Sequence, residues 1–138
     1  MNVVPDTNVW IRWFRERALP ALSAPGLRVN VLVSTIALQE LWAGVRTDEE
    51  AQDIERLHEL ARRSRTLLNP PAAAWVLAGR VINLLATRHS IGAQRLRAMR
   101  NDVLLAANAV LANAAVVTEN TGDFRQIAKV LPLEYCRP

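Results

Sequence analysis

The stretch Asn2-Val3-Val4-Pro5-Asp6-Thr7-Asn8, with Val9-Trp10-Ile11-Arg12-Trp13-Phe14 behind it, decides how the chain is read. Asn2 to Val4 predicts a short strand that stops at Pro5, because proline has no N–H to give to a sheet ladder. Asp6, Thr7 and Asn8 are turn and helix-capping residues, and the apolar, aromatic run Val9 to Phe14 predicts a helix after them. A strand that turns through Asp6 into a helix is the first step of an alternation that the rest of the chain continues.

Beyond this unit, Ala18 to Gly26, with Pro20 and Pro25, reads as a turn region, and the β-branched run Val29 to Val33 as a second strand. Ser34 or Thr35 is placed to cap a helix ending near Gly44. Thr47-Asp48-Glu49-Glu50 has the form of a capping box, with Ala51, Ile54, Leu57 and Leu60 at helical spacing behind it and Asn69-Pro70-Pro71 as the stop. A further helix is expected from about Ala72 to Thr87, broken at Ser90 to Gly92. Val103 to Ala112 is apolar almost all round, the pattern of a helix buried against other elements. Ala114 to Thr118 reads as a third core strand, Glu119 to Asp123 as a turn, and Leu131 to Tyr135 as a last strand. The alternation predicts an α/β fold with a mostly parallel central sheet and helices on both faces, three layers in all.

At 138 residues, with 51% hydrophobic and 22% charged residues, the chain has the composition of one globular domain spanning residues 1–138 rather than of a disordered segment. No internal repeat or low-complexity tract divides it. Cys136 is the sole cysteine, so neither an intramolecular disulfide nor a Cys/His zinc framework is available, which points to a reducing cytoplasm. No apolar run reaches membrane-spanning length and no basic leader precedes Asp6, so neither membrane insertion nor export is expected.

The net charge of +4 comes from 17 basic residues of which only Lys129 is lysine. Guanidinium groups present a planar fork to phosphate oxygens and stack on bases, which makes phosphate-rich partners plausible; a compositional bias towards Arg and Ala accounts for the same surplus. Arg12, Arg15 and Arg17 form one cluster, Arg62, Arg63 and Arg65 a second, and Arg95, Arg97 and Arg100 a third immediately before Asp102.

Six of the thirteen acidic residues, from Asp48 to Glu59, lie on one amphipathic helix and read as solvated charge. Among the others, Glu40 falls between Ile36 and Gly44 on the apolar side of its helix, where a carboxylate must be protonated, paired or bound to a cation. Asp102 heads the buried helix, Asp6 sits at the first strand-to-helix turn and Asp123 follows Gly122. Each of these three has an ordinary explanation as a cap or turn residue.

Topology joins them. In a parallel α/β sheet, strand ends and helix beginnings share the carboxyl edge, where ligands bind. Asp6, Asp102, Asn120 and Asp123 all fall at that edge, and Glu40 lies about one and a half turns into its helix, roughly 8 Å away. Carboxylates gathered this closely repel one another unless a cation compensates. All-oxygen donors suit Mg²⁺ or Mn²⁺, and such an ion next to an arginine-rich rim reads as phosphodiester hydrolysis. His58 and His89 read as structural or surface residues.

These residues resemble the PIN-domain ribonucleases, and specifically the VapC-type toxins of bacterial toxin-antitoxin pairs. Asp6-Thr7-Asn8, Ser34-Thr35 with Glu40-Leu41, Asn101-Asp102 leading into Leu105-Ala106-Ala107-Asn108-Ala109, and Val117-Thr118-Glu119-Asn120 followed by Asp123-Phe124 occur in the family's order. The resemblance implies a PIN-like fold, endonucleolytic cleavage of single-stranded RNA with Mg²⁺ or Mn²⁺, inhibition of translation, a VapB-like antitoxin and a homodimer. It implies Asp6, Glu40, Asp102 and Asp123 as catalytic acids, the first three as metal ligands. Thr118, Asn120 and Asn8 look like supporting residues, with Asp123 or Asn120 at the less regular fourth position. Arg95, Arg97 and Arg100 are expected to hold the RNA backbone. Pro5 and Glu119-Asn120 depart from the family's usual residues at those places. Trp10, Trp13, Phe14 and Trp42 are expected mainly in the core, with some left to line a groove for an antitoxin helix.

Two other readings compete. A phosphoacceptor domain also gathers acids at a carboxyl edge, but would need a second early Asp where Asn8 stands, or a well-placed lysine that the lone Lys129 does not supply. A catalytically silent PIN-like module, binding RNA or protein with its acids serving as caps, remains the alternative to a nuclease.

Overall fold

The first strand, β1 (Asn2–Pro5), includes the proline expected to stop it, because Pro5 is its last residue; the chain then turns at Asp6 into α1 (Thr7–Glu16). The computed structural model describes residues 1–17, 26 and 28–138, so the expected turn from Ala18 lies outside the described residues except for Gly26, whose φ is +85°. The single strand expected from Val29 to Val33 is two strands. β2 (Asn30–Val31) pairs with β1, whereas β3 (Val33–Ser34) belongs to a separate ladder. Leu32 N donates to Val3 O at 2.8 Å and Val33 N to Thr66 O at 2.9 Å, so the chain changes partners between adjacent residues.

Ser34 then caps α2 (Thr35–Ala43), its hydroxyl accepting from Ile36 N at 3.1 Å, and Gly44 closes the helix as expected. In α3 (Asp48–Ser64), Thr47 Oγ1 accepts from Glu50 N at 3.2 Å. The reciprocal half of the capping box is displaced by one residue: Glu50 Oε2 accepts from Arg46 N at 2.8 Å. The helix stops well before Asn69-Pro70-Pro71, because Arg65 adopts a left-handed backbone with φ 56°. That early stop releases β4 (Leu67–Leu68), which pairs in parallel with β3. Leu60, placed with the apolar stripe by its spacing, is exposed, while Ile54 and Leu57 are buried.

α4 (Ala72–Arg88) ends just ahead of Ser90, another left-handed residue with φ 54°. A short helix, α5 (Ala93–Ala98), follows and carries Arg95 and Arg97. α6 (Arg100–Leu111) is the buried helix, with seven consecutive buried residues from Val103 to Ala109. β5 (Ala114–Val117) returns through the core. The expected turn from Glu119 to Asp123 is instead the start of α7 (Thr121–Ile127), preceded by Asn120, and the last strand, expected from Leu131 to Tyr135, is β6 (Tyr135–Cys136), which shares only Tyr135 with that range.

The main sheet has the order β2-β1-β5-β6 with every pairing parallel. Residues two apart on a strand face the same way, and in-register parallel partners share a face. Val4 and its partner Val116 accordingly pack with α4, α6 and α7 through residues such as Leu85, Val103 and Phe124. Val3 and Val117 face the opposite side with Val9 of α1. Trp10, Ala37, Leu41, Ile54 and Leu57 extend that second side into a cluster joining α1, α2 and α3. The result is a three-layer α/β/α sandwich with a parallel central sheet.

Leu85, in the last turn of α4, is fully buried. Leu85→Ala should cost about 2–5 kcal/mol through lost apolar contact and the cavity left behind. Urea denaturation checks this; a loss below about 1 kcal/mol would mean the α4–α6 layer packs loosely.

Candidate functional site

The parallel pairing of β1 with β5 brings Asp6 beside Thr118. Asp6 N donates to Val117 O at 2.8 Å, extending the ladder by one bond beyond β1 and fixing the backbone where the carboxylate emerges. Asp6 is buried, and its Oδ1 accepts from Thr7 N at 2.7 Å as the cap of α1. Its Oδ2 accepts from Thr118 Oγ1 at 2.9 Å and from Asn8 Nδ2 at 3.0 Å. The capping explanation offered by the sequence is thus correct for Asp6 but uses only one of its two oxygens. Burial pushes its carboxyl above the ordinary carboxylate range, and the three hydrogen bonds offset part of that rise.

Asp102 is not the cap of its helix. It lies in the first turn of α6, and the preceding Met99 makes no side-chain capping bond, so the cap explanation does not hold for it. Its Oδ2 accepts from Asn120 Nδ2 at 3.1 Å. Burial, followed by the charges of Asp6, Asp123 and Glu40, raises the Asp102 carboxyl from 3.8 to about 7. Glu40 is half-buried on the second turn of α2; burial, then the charge of Asp6, pushes its carboxyl up. Thr7 and Asn101 offset part of that rise, although Thr7 Oγ1 makes no hydrogen bond of ordinary geometry. The wheel argument that put Glu40 on the wrong face for solvent therefore agrees with its burial.

Asp123 occupies the first turn of α7, not a glycine turn, and both of its oxygens are engaged. Oδ1 accepts from Arg95 Nη2 at 2.6 Å, and Oδ2 from Asn120 Nδ2 at 2.9 Å. Asn120 thereby links Asp102 to Asp123, while its own N–H donates to Thr118 Oγ1 at 3.0 Å. Asn8 Oδ1 accepts from Glu119 N at 3.2 Å, tying α1 to the segment after β5. The carboxyl edge gathers Asp6, Glu40, Asp102, Asp123, Thr118, Asn120 and Asn8, with Arg95 at its margin.

Arg97 and Arg100 are exposed and form no ion pair among the described residues. Arg12 donates to Glu16 and Glu119, and Arg62 and Arg63 both donate to Glu59, so part of each other arginine cluster is already paired. Sequence reasoning missed Asn101 and Thr7 as neighbours of Glu40; Asn101 was visible only as the residue beside Asp102. Trp10 is buried and Trp13 and Phe14 are half-buried, but Trp42, expected in the core, is exposed. His58 and His89 are exposed.

The donor set suits a hard divalent cation: every side chain offers oxygen, and the acids raise one another's affinity for positive charge. Among the described residues no group of three or more His, Cys, Asp or Glu side chains is arranged to hold a metal ion by itself. The acids are close enough for Asp6, Asp123 and Glu40 to raise the Asp102 carboxyl, and an ion bound by fewer than three of them would have to keep several waters.

The PIN domain family profile matches residues 3–130. No curated protein sequence matches the chain. Among solved structures, a VapBC complex of Rickettsia felis bound to a DNA fragment from its promoter matches with 22% identity and a TM-score of 0.70, over 100% of this chain and 99% of that one. A VapBC complex of nontypeable Haemophilus influenzae matches with 24% identity and a TM-score of 0.71, over 99% and 98%. A VapBC-family toxin-antitoxin structure from Mycobacterium tuberculosis matches with 24% identity and a TM-score of 0.65, over the same shares. At these identities the likeness shows the fold.

Since the folded-state value of Asp102 lies above its ordinary one, ionising it opposes folding; the penalty is complete above pH 7 and vanishes as pH falls towards 4. Asp102→Asn should raise the Tm at pH 8 in EDTA by roughly 5 °C or more, from a penalty on the order of 2–4 kcal/mol. That advantage should shrink steadily towards pH 5. Calorimetric melting of both proteins reads it, and equal melting at pH 8 would contradict the crowding of negative charge.

Proposed function

The chain belongs to the PIN-domain family, and from that membership we propose that it is a VapC-type toxin: a Mg²⁺- or Mn²⁺-dependent endoribonuclease that hydrolyses RNA phosphodiester bonds and inhibits translation. A VapB-like antitoxin neutralises it, and it acts in the cytoplasm as a homodimer. The observation that carries the reading is the convergence of Asp6, Glu40, Asp102 and Asp123 on one carboxyl edge, with Thr118 holding Asp6 and Asn120 holding Asp102 and Asp123; burial and the neighbouring acids push the Asp102 carboxyl up, a crowding that a bound dication would relieve.

In this reading Asp6 and Asp102 would hold the ion, with Glu40 reaching it directly or through a water. When bound, such an ion would supply Lewis acidity towards a phosphoryl oxygen and a more acidic water, the chemistry of a hydrolysis that leaves a 5′-phosphate and a 3′-hydroxyl without using the RNA 2′-hydroxyl. Thr118 and Asn8 keep Asp6 oriented by donating to Oδ2, and the Asp6 backbone N–H is fixed by the sheet. Asn120 holds Asp102 at a fixed distance from Asp123. Arg95, Arg97 and Arg100 offer guanidinium groups to the RNA backbone from α5 and the start of α6.

A groove of about 500 Å³ beside Glu40 supports the antitoxin partner. Its apolar lining includes Ile11, Phe14, Leu41, Val45 and Ile54, and charged residues of both signs, among them Arg15, Arg17, Glu49 and Asp53, complete it. An amphipathic segment fits such a surface. The open arrangement of the acids among the described residues favours the second reading, a catalytically silent module that binds RNA or protein.

Calorimetric titration with Mn²⁺ and cleavage of single-stranded RNA separate the two. Wild type should bind Mn²⁺ and cleave, EDTA should abolish cleavage, and Asp6→Asn or Glu40→Gln should lower the rate by at least a hundredfold, the scale of losing an electrostatic contact to a transition state. Absence of Mn²⁺ binding by the wild type would favour the silent module, and cleavage that survives EDTA would remove the metal from the account.

A further inference from the structure

Asp123 was expected among the catalytic acids, yet its two oxygens are spent on partners other than an ion. One is held at 2.6 Å by Arg95 of α5, twenty-eight residues earlier in the chain, and the other at 2.9 Å by Asn120. A carboxylate that makes a charge-assisted bond this short has its negative charge largely answered. Arg95, by contrast, has more to give. Among the described residues its guanidinium makes this one ion pair, through Nη2, and the side chain is 56% exposed, leaving its remaining N–H groups towards solvent. The chain Arg95–Asp123–Asn120–Asp102 fixes that guanidinium three side chains from the most strongly perturbed acid of the cleft.

We propose that Asp123 is a positioning residue: it holds the Arg95 guanidinium at the mouth of the acidic cleft so that its outward N–H groups clamp an RNA phosphate next to the one cleaved. This deepens the nuclease reading and rests on it for the identity of the bound polyanion. Pre-fixing a long side chain removes ordering cost when the phosphate arrives, which an exposed and untethered arginine does not do. Arg97, on the same short helix but without a carboxylate partner among the described residues, serves as the internal comparison.

Charge alone and positioning give opposite signs. Asp123→Asn removes a negative charge from the RNA-facing edge, so simple electrostatics has it tighten RNA binding, whereas loss of the anchor weakens it. The measurement is fluorescence anisotropy of a labelled mixed-sequence single-stranded RNA in EDTA across a salt series, beside calorimetry with Mn²⁺ alone. Arg95→Ala should weaken RNA binding about tenfold and reduce the salt slope by about 0.7, one phosphate contact on a single strand. Asp123→Asn should weaken it about threefold to tenfold, should not weaken it further in the Arg95→Ala background, and should lower Mn²⁺ affinity only by the loss of one neighbouring negative charge, about threefold, far less than Asp6→Asn does. Arg95→Lys, at an exposed position that does not threaten folding, should restore the slope and part of the affinity.

Tighter RNA binding by Asp123→Asn, an equal weakening by that substitution with and without Arg95, or a loss of Mn²⁺ affinity as large as that of Asp6→Asn would each overturn the assignment. So would Arg95→Ala behaving like wild type. Failure of wild type to bind Mn²⁺ strikes the nuclease reading instead, since the RNA measurements contain no metal.

Discussion

The parallel ladder between β1 and β5 is the constraint on which the cleft depends. It runs through four registered pairs, Asn2 with Ala114 up to Pro5 with Val117, and gains one more bond from Asp6 N to Val117 O at 2.8 Å. Because both strands run the same way, their carboxyl ends emerge together, and Asp6 and Thr118 leave the sheet as neighbours. Val4 and Val116 pack beneath on one face while Val3 and Val117 pack on the other. A slip of one residue would invert both sets of valines as well as moving Asp6 away from Thr118. The same burial that stabilises the sheet therefore fixes the position of a charged group.

Fixing charge in this way runs against solvation. Asp6, Glu40 and Asp102 all sit above the ordinary carboxylate range, with burial the largest cause each time. The fold answers with neutral donors: Thr118 and Asn8 on Asp6, Asn120 on Asp102 and Asp123. Such donors hold carboxylates in place without cancelling their charge, and the repulsion that remains favours a dication. Among the described residues, only at Asp123 does a cation of the chain itself, Arg95, take up the charge of one of these acids, so the edge contains acids in two different electrostatic situations.

Much of this was legible in the sequence because it depends on local signals. The Asp6 turn, the Ser34 cap, the Thr47 cap and the all-round apolar α6 carry their structure in short motifs, and Glu40 betrayed its burial by its place on the helix wheel. What escaped was set by backbone conformation or by distant partners. Arg65 and Ser90 end their helices in left-handed geometry that neither residue type advertises. β4 is two residues long and exists because β3 is there to pair with it. The start of α7 at Thr121 looked like a turn because Asn120, Gly122 and Asp123 are turn formers in isolation. The tie between Arg95 and Asp123 spans two elements with no sequence pattern to join them, and the cap offered as the ordinary explanation of Asp102 fails because position in a helix does not reveal which side chain meets its oxygens.

The central claim is that Asp6, Glu40 and Asp102 share one divalent ion, and the most direct measurement is an anomalous-difference map from crystals of the protein grown with Mn²⁺. The account predicts a peak at coordination distance from carboxylate oxygens of Asp6 and Asp102, with Glu40 reaching it directly or through a water. A map without a peak in the cleft at saturating Mn²⁺, or with its peak bound by other residues, would contradict it.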